Sequence, residues 1–192
     1  QSQTIRDALD NQCITVMIKE NELSDFLKLN ITPALAITDS SAFGVVAETL
    51  PEAIPLTSFS ILFGRLKGDF DAYKKGTPVI SSLKEGDNVL ILESCTHQTS
   101  CDDIGRVKIP GLLQKYTGKN LSFSFVSGLS KLPEDPEEYA LVIQCGGCMV
   151  TRKQLLNRLR PFIKAGVPVT NYGMTLAYIH GIFDRATNML NR

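Results

Sequence analysis

Short apolar runs alternate with helix-forming stretches along this chain, and that alternation restricts its fold more than any other feature of the sequence. Strands are predicted at about residues 14–18, 34–38, 56–59, 88–93, 121–126, 139–144 and 167–171. Helices are predicted between them, at about 22–29, 39–50 and 60–75, from Pro110, and from a capping box formed by Thr151 and Gln154. Repeated βα units imply parallel sheets covered by helices, with right-handed crossovers. We therefore predict an α/β protein.

A break in this pattern divides the chain into two parts. Turn residues and charges cluster at residues 74–78 and again at 84–87. We place a domain boundary between about 76 and 87. The sequence therefore predicts two small domains, each with a mainly parallel, Rossmann-like sheet and flanking helices.

Composition narrows the class of protein. Of the 192 residues, 43% are hydrophobic and 21% are charged, which is typical of a soluble globular protein. The net charge of zero does not favour nucleic acid or an acidic membrane surface, and no apolar stretch is as long as a transmembrane helix. The chain starts at Gln1 without the apolar core of a signal peptide, so we expect a fragment of a cytoplasmic protein. Its five cysteines, an odd number, argue against a secreted disulfide scaffold.

Cysteines directly follow two of the predicted strands. Cys95 comes after the strand at 88–93, and Cys145 and Cys148 come after the strand at 139–144. In open parallel sheets, ligands bind beyond the carboxyl ends of the strands, so these thiols are expected to converge. Gly146 and Gly147 allow a tight bend and a close approach to a bulky ligand. The predicted helix N-terminus after Cys148 would stabilise a thiolate there.

The spacing leaves the chemistry of the site open. Thiolates gathered in this way hold an iron–sulfur cluster or a metal, and His97 would complete a zinc site with three cysteines. Cys101 and Asp102 are further candidate ligands, although an aspartate there is also a common helix cap. A third reading is a redox dithiol, since Cys-x-x-Cys at a helix start also suits disulfide exchange.

Other features receive ordinary interpretations. Cys13 is predicted to be an inert core residue beside the first strand, and His180 to pack or to face solvent. The basic side chains of the helix after Thr151 are predicted to form its solvated face; they are Arg152, Lys153, Arg158, Arg160 and Lys164. Gly118 and Lys119 do not belong to a phosphate-binding loop, because that motif requires a glycine at 113 and a hydroxyl residue at 120.

Several segments resemble one known family. They are residues 93–97 (ESCTH), 102–110 (DDIGRVKIP) and 145–148 (CGGC), together with 37–40 (ITDS), 55–60 (PLTSFS) and 170–173 (TNYG). In this order they resemble the HydF family of FeFe-hydrogenase maturation GTPases. The resemblance covers essentially the whole chain, and what it lacks is the N-terminal GTP-binding domain of that family.

The resemblance implies a dimerisation domain at residues 1–80 and a cluster-binding domain at 85–192. It implies that Cys95, Cys145 and Cys148 hold a 4Fe-4S cluster. The fourth ligand would be Asp102, His97 or Cys101, in that order, because Gln144 stands where the family has a histidine before the Cys-x-x-Cys.

The implied function is that of a scaffold and carrier. Such a homodimer would receive a diiron precursor with CO and cyanide ligands from radical-SAM maturases and pass it to the FeFe-hydrogenase apoprotein. The resemblance implies no catalysis by this fragment and GTP binding only in the absent domain. The alternatives are a structural zinc-binding dimerisation module and a thiol-disulfide oxidoreductase.

Overall fold

The computed structural model describes residues 1–94 and 104–190, and it has two parallel sheets with flanking helices. The first part contains α1 (Ser2–Asp10), α2 (Leu23–Leu27), β1 (Ala36–Thr38), α3 (Phe43–Thr49), β2 (Leu56–Ser58), α4 (Phe59–Lys67) and α5 (Phe70–Gly76). The second contains β3 (Asn88–Leu92), α6 (Ile109–Thr117), β4 (Ser122–Val126), β5 (Leu141–Gln144), α7 (Arg152–Lys164), β6 (Val169–Asn171), α8 (Tyr172–Ile179) and α9 (Phe183–Thr187). Short 3-10 turns occur at Glu20–Glu22, Ser40–Ala42, Thr77–Ser82, Pro136–Glu138 and Asn188–Leu190, and a π-helical turn occurs at Ile104–Lys108.

Both sheets are parallel, which confirms the predicted α/β class. β1 pairs with β2, and the larger sheet has the strand order β4-β3-β5-β6. β5 is buried along its whole length, and β3 is buried except at its first residue. This burial on both faces explains why these strands are almost continuously apolar in sequence.

Polar side chains fix where the helices around the sheets begin. Thr151 and Gln154 form the predicted capping box at the start of α7. Asn171, the last residue of β6, caps α8 by accepting from the backbone N–H of Met174 at 2.8 Å. Ser58 caps α4 in the same way, through the N–H of Ile61 at 3.3 Å. Strands β2 and β6 therefore pass directly into helices at their carboxyl ends.

The two sheets share one hydrophobic core. α5 packs against β6, and Gly76 lies so close to Val169 that the two backbones touch. The chain then returns to the small sheet, where the guanidinium of Arg185 donates to the carbonyl oxygens of Leu50, Pro51 and Ile54. These contacts cross the proposed domain boundary at about 76–87, which remains a prediction.

The N-terminal segment departs from the predictions. Residues 13–19 have no regular secondary structure and are exposed, so the strand predicted at 14–18 and the buried position predicted for Cys13 are both wrong. Alternating apolar residues favour a strand only where a partner strand is available. The helix predicted at 60–75 is also divided, because Asp69 caps a new helix through the N–H of Ala72 at 3.0 Å. Within the described residues, no helix is long and apolar enough to cross a membrane.

Candidate functional site

The carboxyl ends of the four strands of the larger sheet lie side by side. Leu92 of β3 is in register with Val126 of β4 and with Gln144 of β5, and Gln144 is in register with Asn171 of β6. The segments that leave these residues therefore start at one edge of the sheet. This is the edge at which parallel α/β proteins bind their ligands.

Cys145 is the first residue beyond this edge on β5, and it is half-buried. Its backbone N–H donates to the carbonyl oxygen of Leu92 at 2.9 Å. Its Sγ accepts a hydrogen bond from the backbone N–H of Ser94 at 3.0 Å. N–H donors to sulfur stabilise the thiolate form and influence the reduction potential of clusters bound through such sulfurs. The end of β3 is therefore joined to the Cys145 side chain itself.

Gln144 is fully buried and supports the same junction. Its Nε2 lies 3.0 Å from Ser94 Oγ, 3.2 Å from the carbonyl oxygen of Leu92 and 3.2 Å from that of Cys145. Its Oε1 is buried and accepts no hydrogen bond from the described part of the chain. The Gln144 amide thus holds the backbone at the carboxyl ends of β3 and β5. Only a side chain that points into the protein can do this.

The loop from Cys145 to Cys148 needs its second glycine. Gly147 has a positive φ of 70°, a conformation that L side chains rarely adopt, and a Cβ atom there would collide with Leu155 of α7. Gly146 lies opposite α4, where a Cβ atom would be 3.7 Å from Ser60 Oγ. Cys148 is exposed. The loop is therefore compact, with one thiol half-buried and one open to solvent.

The predicted ligands divide between described and undescribed parts of the chain. Cys145 and Cys148 are described, and both are free thiols. Cys95, His97, Cys101 and Asp102 lie outside the described residues. Among residues 1–94 and 104–190, no group of three or more His, Cys, Asp or Glu side chains is placed to hold a metal ion.

An ion pair joins Glu93 and Arg106, which lie in sequence before and after the segment that contains Cys95. The guanidinium of Arg106 donates to both carboxylate oxygens of Glu93, at 3.0 Å from Nε to Oε1 and 2.8 Å from Nη2 to Oε2. The hydroxyl of Ser127 donates to Glu93 Oε2 at 2.6 Å. Burial by itself raises the pKa of the Glu93 carboxyl, but these hydrogen bonds and the charge of Arg106 outweigh it and lower the pKa below its ordinary value.

The Glu93 side chain is only 12% exposed, so its pairing should contribute to stability. We expect Glu93→Gln to lower the free energy of unfolding by about 1–3 kcal/mol, because the hydrogen bonds from Arg106 to a largely buried carboxylate lose their ionic character. Urea unfolding followed by circular dichroism measures this. Glu134→Gln is the matched control, since the Glu134 side chain is 84% exposed and pairs with Lys131 at the surface. Equal losses for the two variants would show that the Glu93 pair is no stronger than a surface pair.

Two buried polar residues, Arg158 and Tyr73, were not predicted from the sequence. Arg158 was predicted to lie on the solvated face of α7, but it is 5% exposed and donates to the carbonyl oxygens of Val126 and Ser130 at 3.2 and 3.3 Å. Its spacing from Leu155 and Phe162 on the inner face of the helix was the available signal. Burial lowers the pKa of Arg158, while Cys145 opposes that change.

Tyr73 of α5 is the second such residue. Its hydroxyl has no hydrogen-bond partner within the described residues. Burial raises the pKa of Tyr73, and the charges of Cys145 and Asp69 raise it further.

This geometry defines a class: a parallel α/β protein that presents a Cys-x-x-Cys loop at the carboxyl edge of its sheet. Comparison with protein families then identifies the group within that class. Residues 1–68 match the Hydrogen maturase F dimerization domain, and residues 71–189 match the Hydrogen maturase F tetramerization domain. The chain belongs to the hydrogen maturase F family, which confirms the resemblance seen in the sequence. A comparison with curated proteins found no match.

Membership of this family links the chain to hydrogenase maturation and to self-association. Both matched regions are described as oligomerisation domains. The match to the second region also covers β3, β5 and the Cys145–Cys148 loop, so the thiol-bearing edge lies within the region described as a tetramerization domain.

Proposed function

We propose that this part of the protein binds a 4Fe-4S cluster through Cys95, Cys145 and Cys148 and serves as a scaffold in hydrogenase maturation. The observation that carries the proposal is the 3.0 Å hydrogen bond from the N–H of Ser94 to Cys145 Sγ. Ser94 directly precedes Cys95 in the sequence. The bond therefore brings the chain to the Cys-x-x-Cys loop one residue before the third thiol.

The described residues fit such a cluster. Cys145 and Cys148 are free thiols at the edge where the fold binds ligands, and one of them already accepts an N–H bond. Gly147 keeps the loop compact without a side chain. Asp102, followed by His97 and Cys101, is the proposed source of a fourth ligand. When bound, the cluster would be held by the three thiolates, one on each of three irons, and would offer a fourth iron whose ligand can be exchanged.

The cargo is proposed to be a diiron precursor with CO and cyanide ligands. Radical-SAM maturases would supply it, and the FeFe-hydrogenase apoprotein would accept it. The exposed side chain of Cys148 would allow such partners to approach the site. We propose that the protein is cytoplasmic and that this part of it binds its cargo without catalysing a reaction. GTP would be bound by a separate domain. Neither nucleic acid nor a membrane would be a binding partner.

Anaerobic reconstitution with iron and sulfide tests the proposal. We expect about four iron and four sulfide per chain, a brown colour, and an EPR signal after reduction. A colourless protein that binds one zinc ion per chain would overturn the proposal in favour of a structural zinc module. Rapid disulfide exchange through Cys145 and Cys148 without iron binding would favour an oxidoreductase.

We further propose that residues 14–18 form part of the contact between copies of the chain. Ile14, Val16 and Ile18 are 97%, 54% and 42% exposed, and they alternate as in a strand. Within the described residues the small sheet consists of β1 and β2, so each strand has a free edge at which a further strand can pair. A strand contributed by a second copy would bury these side chains and enlarge a sheet. The family match to a dimerization domain at residues 1–68 supports this arrangement.

A charge within this segment should therefore disrupt the dimer. We expect Val16→Asp to raise the dissociation constant about 100-fold, since it loses a buried valine and places a carboxylate in an apolar contact. Sedimentation velocity at micromolar concentration measures this. Val45→Asp is the matched control, because Val45 is 55% exposed on α3 and Val16 is 54% exposed. Identical sedimentation of the two variants would exclude residues 14–18 from the contact.

A further inference from the structure

Helix α4 forms a wall beside the Cys145–Cys148 loop. Ser60, Phe63 and Lys67 recur at a spacing that places them on one side of the helix. Gly146 lies opposite Ser60 and Phe63, where a Cβ atom would be 3.7 Å from Ser60 Oγ and 4.0 Å from Phe63 Cβ. α4 lies within the region matched to the dimerization domain, while the loop lies within the other matched region.

Lys67 is the last residue of α4, and its ammonium group reaches into the loop. Nζ lies 3.2 Å from the carbonyl oxygen of Gly147, 3.2 Å from that of Val150 and 3.5 Å from that of Cys148. A lysine ammonium has three N–H donors, so it can serve all three carbonyl oxygens. The ring of Phe63, one turn earlier on α4, lies 5.3 Å from Nζ and helps to orient the side chain.

The same helix also contacts the neighbouring strand end. Ser60 Oγ accepts from the N–H of Gly173 at 3.1 Å, and the carbonyl oxygen of Ser60 accepts from Asn171 Nδ2 at 3.0 Å. α4 is therefore attached to the carboxyl end of β6 at its first turn and to the thiol loop at its last. Bonds from one rigid helix to two strand ends fix the loop relative to the sheet.

We propose that Lys67 is a positioning residue for the thiol loop. Its ammonium group ties the carbonyl oxygens of Gly147, Cys148 and Val150 to α4 and so holds Cys145 and Cys148 in a set relative position. This role deepens the proposed function and rests on it, because it assigns Lys67 to the retention of the cluster. It also makes the region that mediates dimerisation a structural part of the cluster site.

We call the three contacts from Lys67 Nζ to the carbonyl oxygens of the loop the clamp. Amide hydrogen exchange tests the clamp without any metal. The N–H of Val150 donates to the carbonyl oxygen of Gly147 at 3.3 Å, the same oxygen that Lys67 binds. We expect Lys67→Met to speed exchange at Val150 about tenfold, because hydrogen bonds to a charged group are lost from the loop. Exchange at Cys145 should change little, since its N–H donates to Leu92 of β3. Lys67→Arg keeps the charge and should restore most of the protection.

Lys28→Met is the matched control. Lys28 is exposed, and its ammonium donates to Asp25 at 2.7 Å, far in sequence from the loop. Equal exchange rates at Val150 in the Lys67→Met and Lys28→Met variants would overturn the clamp. Faster exchange throughout the chain of Lys67→Met, without rescue by Lys67→Arg, would also overturn it, because a general loss of stability would then explain the result.

Cluster retention gives the second measurement. We expect a chelator to remove iron about tenfold faster from reconstituted Lys67→Met than from Lys28→Met or Lys67→Arg, because supporting contacts commonly change metal affinity by this much. The two proposals fail in different ways. If no variant binds iron but Val150 still exchanges faster in Lys67→Met, the proposed cluster fails and the clamp stands. If iron binds normally and neither exchange nor retention changes, the clamp fails and the cluster stands.

Discussion

Replacing Cys145 with serine is expected to abolish the binding of iron while leaving the fold intact. The thiol is half-buried and accepts the N–H of Ser94, and a serine hydroxyl can occupy the same place as an acceptor. A hydroxyl is a far weaker ligand for iron than a thiolate. The loss of affinity should exceed the roughly 10- to 100-fold effect of losing an outer-shell contact. Iron and sulfide per chain after anaerobic reconstitution measure the effect, with circular dichroism as the check on the fold.

Cys13→Ser is the matched control for this result. Cys13 is an exposed free thiol in the N-terminal segment, far in sequence from the larger sheet. The Cys13→Ser variant should bind as much iron as the unchanged protein. If Cys145→Ser retains the full amount of iron, the thiol of Cys145 is not a ligand and the proposed function fails. If Cys145→Ser instead unfolds the larger sheet, a structural zinc site becomes the better explanation.

The two central strands of the larger sheet, β3 and β5, could be predicted from the sequence because they are buried on both faces. Such strands are apolar almost without interruption, so β3 and β5 are recognisable from sequence alone. The position of Cys145 at the edge of the sheet follows from its place directly after β5, since parallel strands end together. The matching prediction for Cys95 concerns a residue outside the described part of the chain. The start of α7 was predictable for a local reason, because Thr151 and Gln154 cap each other within one turn.

Features that depend on distant partners were not predictable in the same way. Residues 14–18 alternate like a strand, but the described chain provides no strand to pair with them. Lys67 looks like an ordinary basic residue at a helix C-terminus, where it would interact with the helix dipole. Its partners are carbonyl oxygens about 80 residues further along the chain, and a backbone carbonyl leaves no mark on the sequence.

The contact between α5 and β6 has a consequence for the whole edge. β6 pairs with β5 and ends at Asn171, whose side chain both caps α8 and binds α4. A shift of β6 would therefore move the wall formed by α4 as well as the strand next to the thiol loop. The position of the loop thus depends on the backbone packing of Gly76 against Val169 as well as on the residues of the loop itself.

Gly76→Ala tests this dependence and is expected to have the largest effect on stability. A Cβ atom at Gly76 would collide with the carbonyl oxygen of Val169 and lie 2.7 Å from its nitrogen, and backbone atoms cannot rotate away as a side chain can. We expect the free energy of unfolding to fall by about 3 kcal/mol, which corresponds to about 6–12 °C in melting temperature for a chain of this length. Gly111→Ala is the matched control, because Gly111 lies in α6 with open space around it and alanine should be neutral or stabilising there. Thermal unfolding by calorimetry measures both, and equal melting temperatures for the two variants would mean that α5 and β6 can separate without cost.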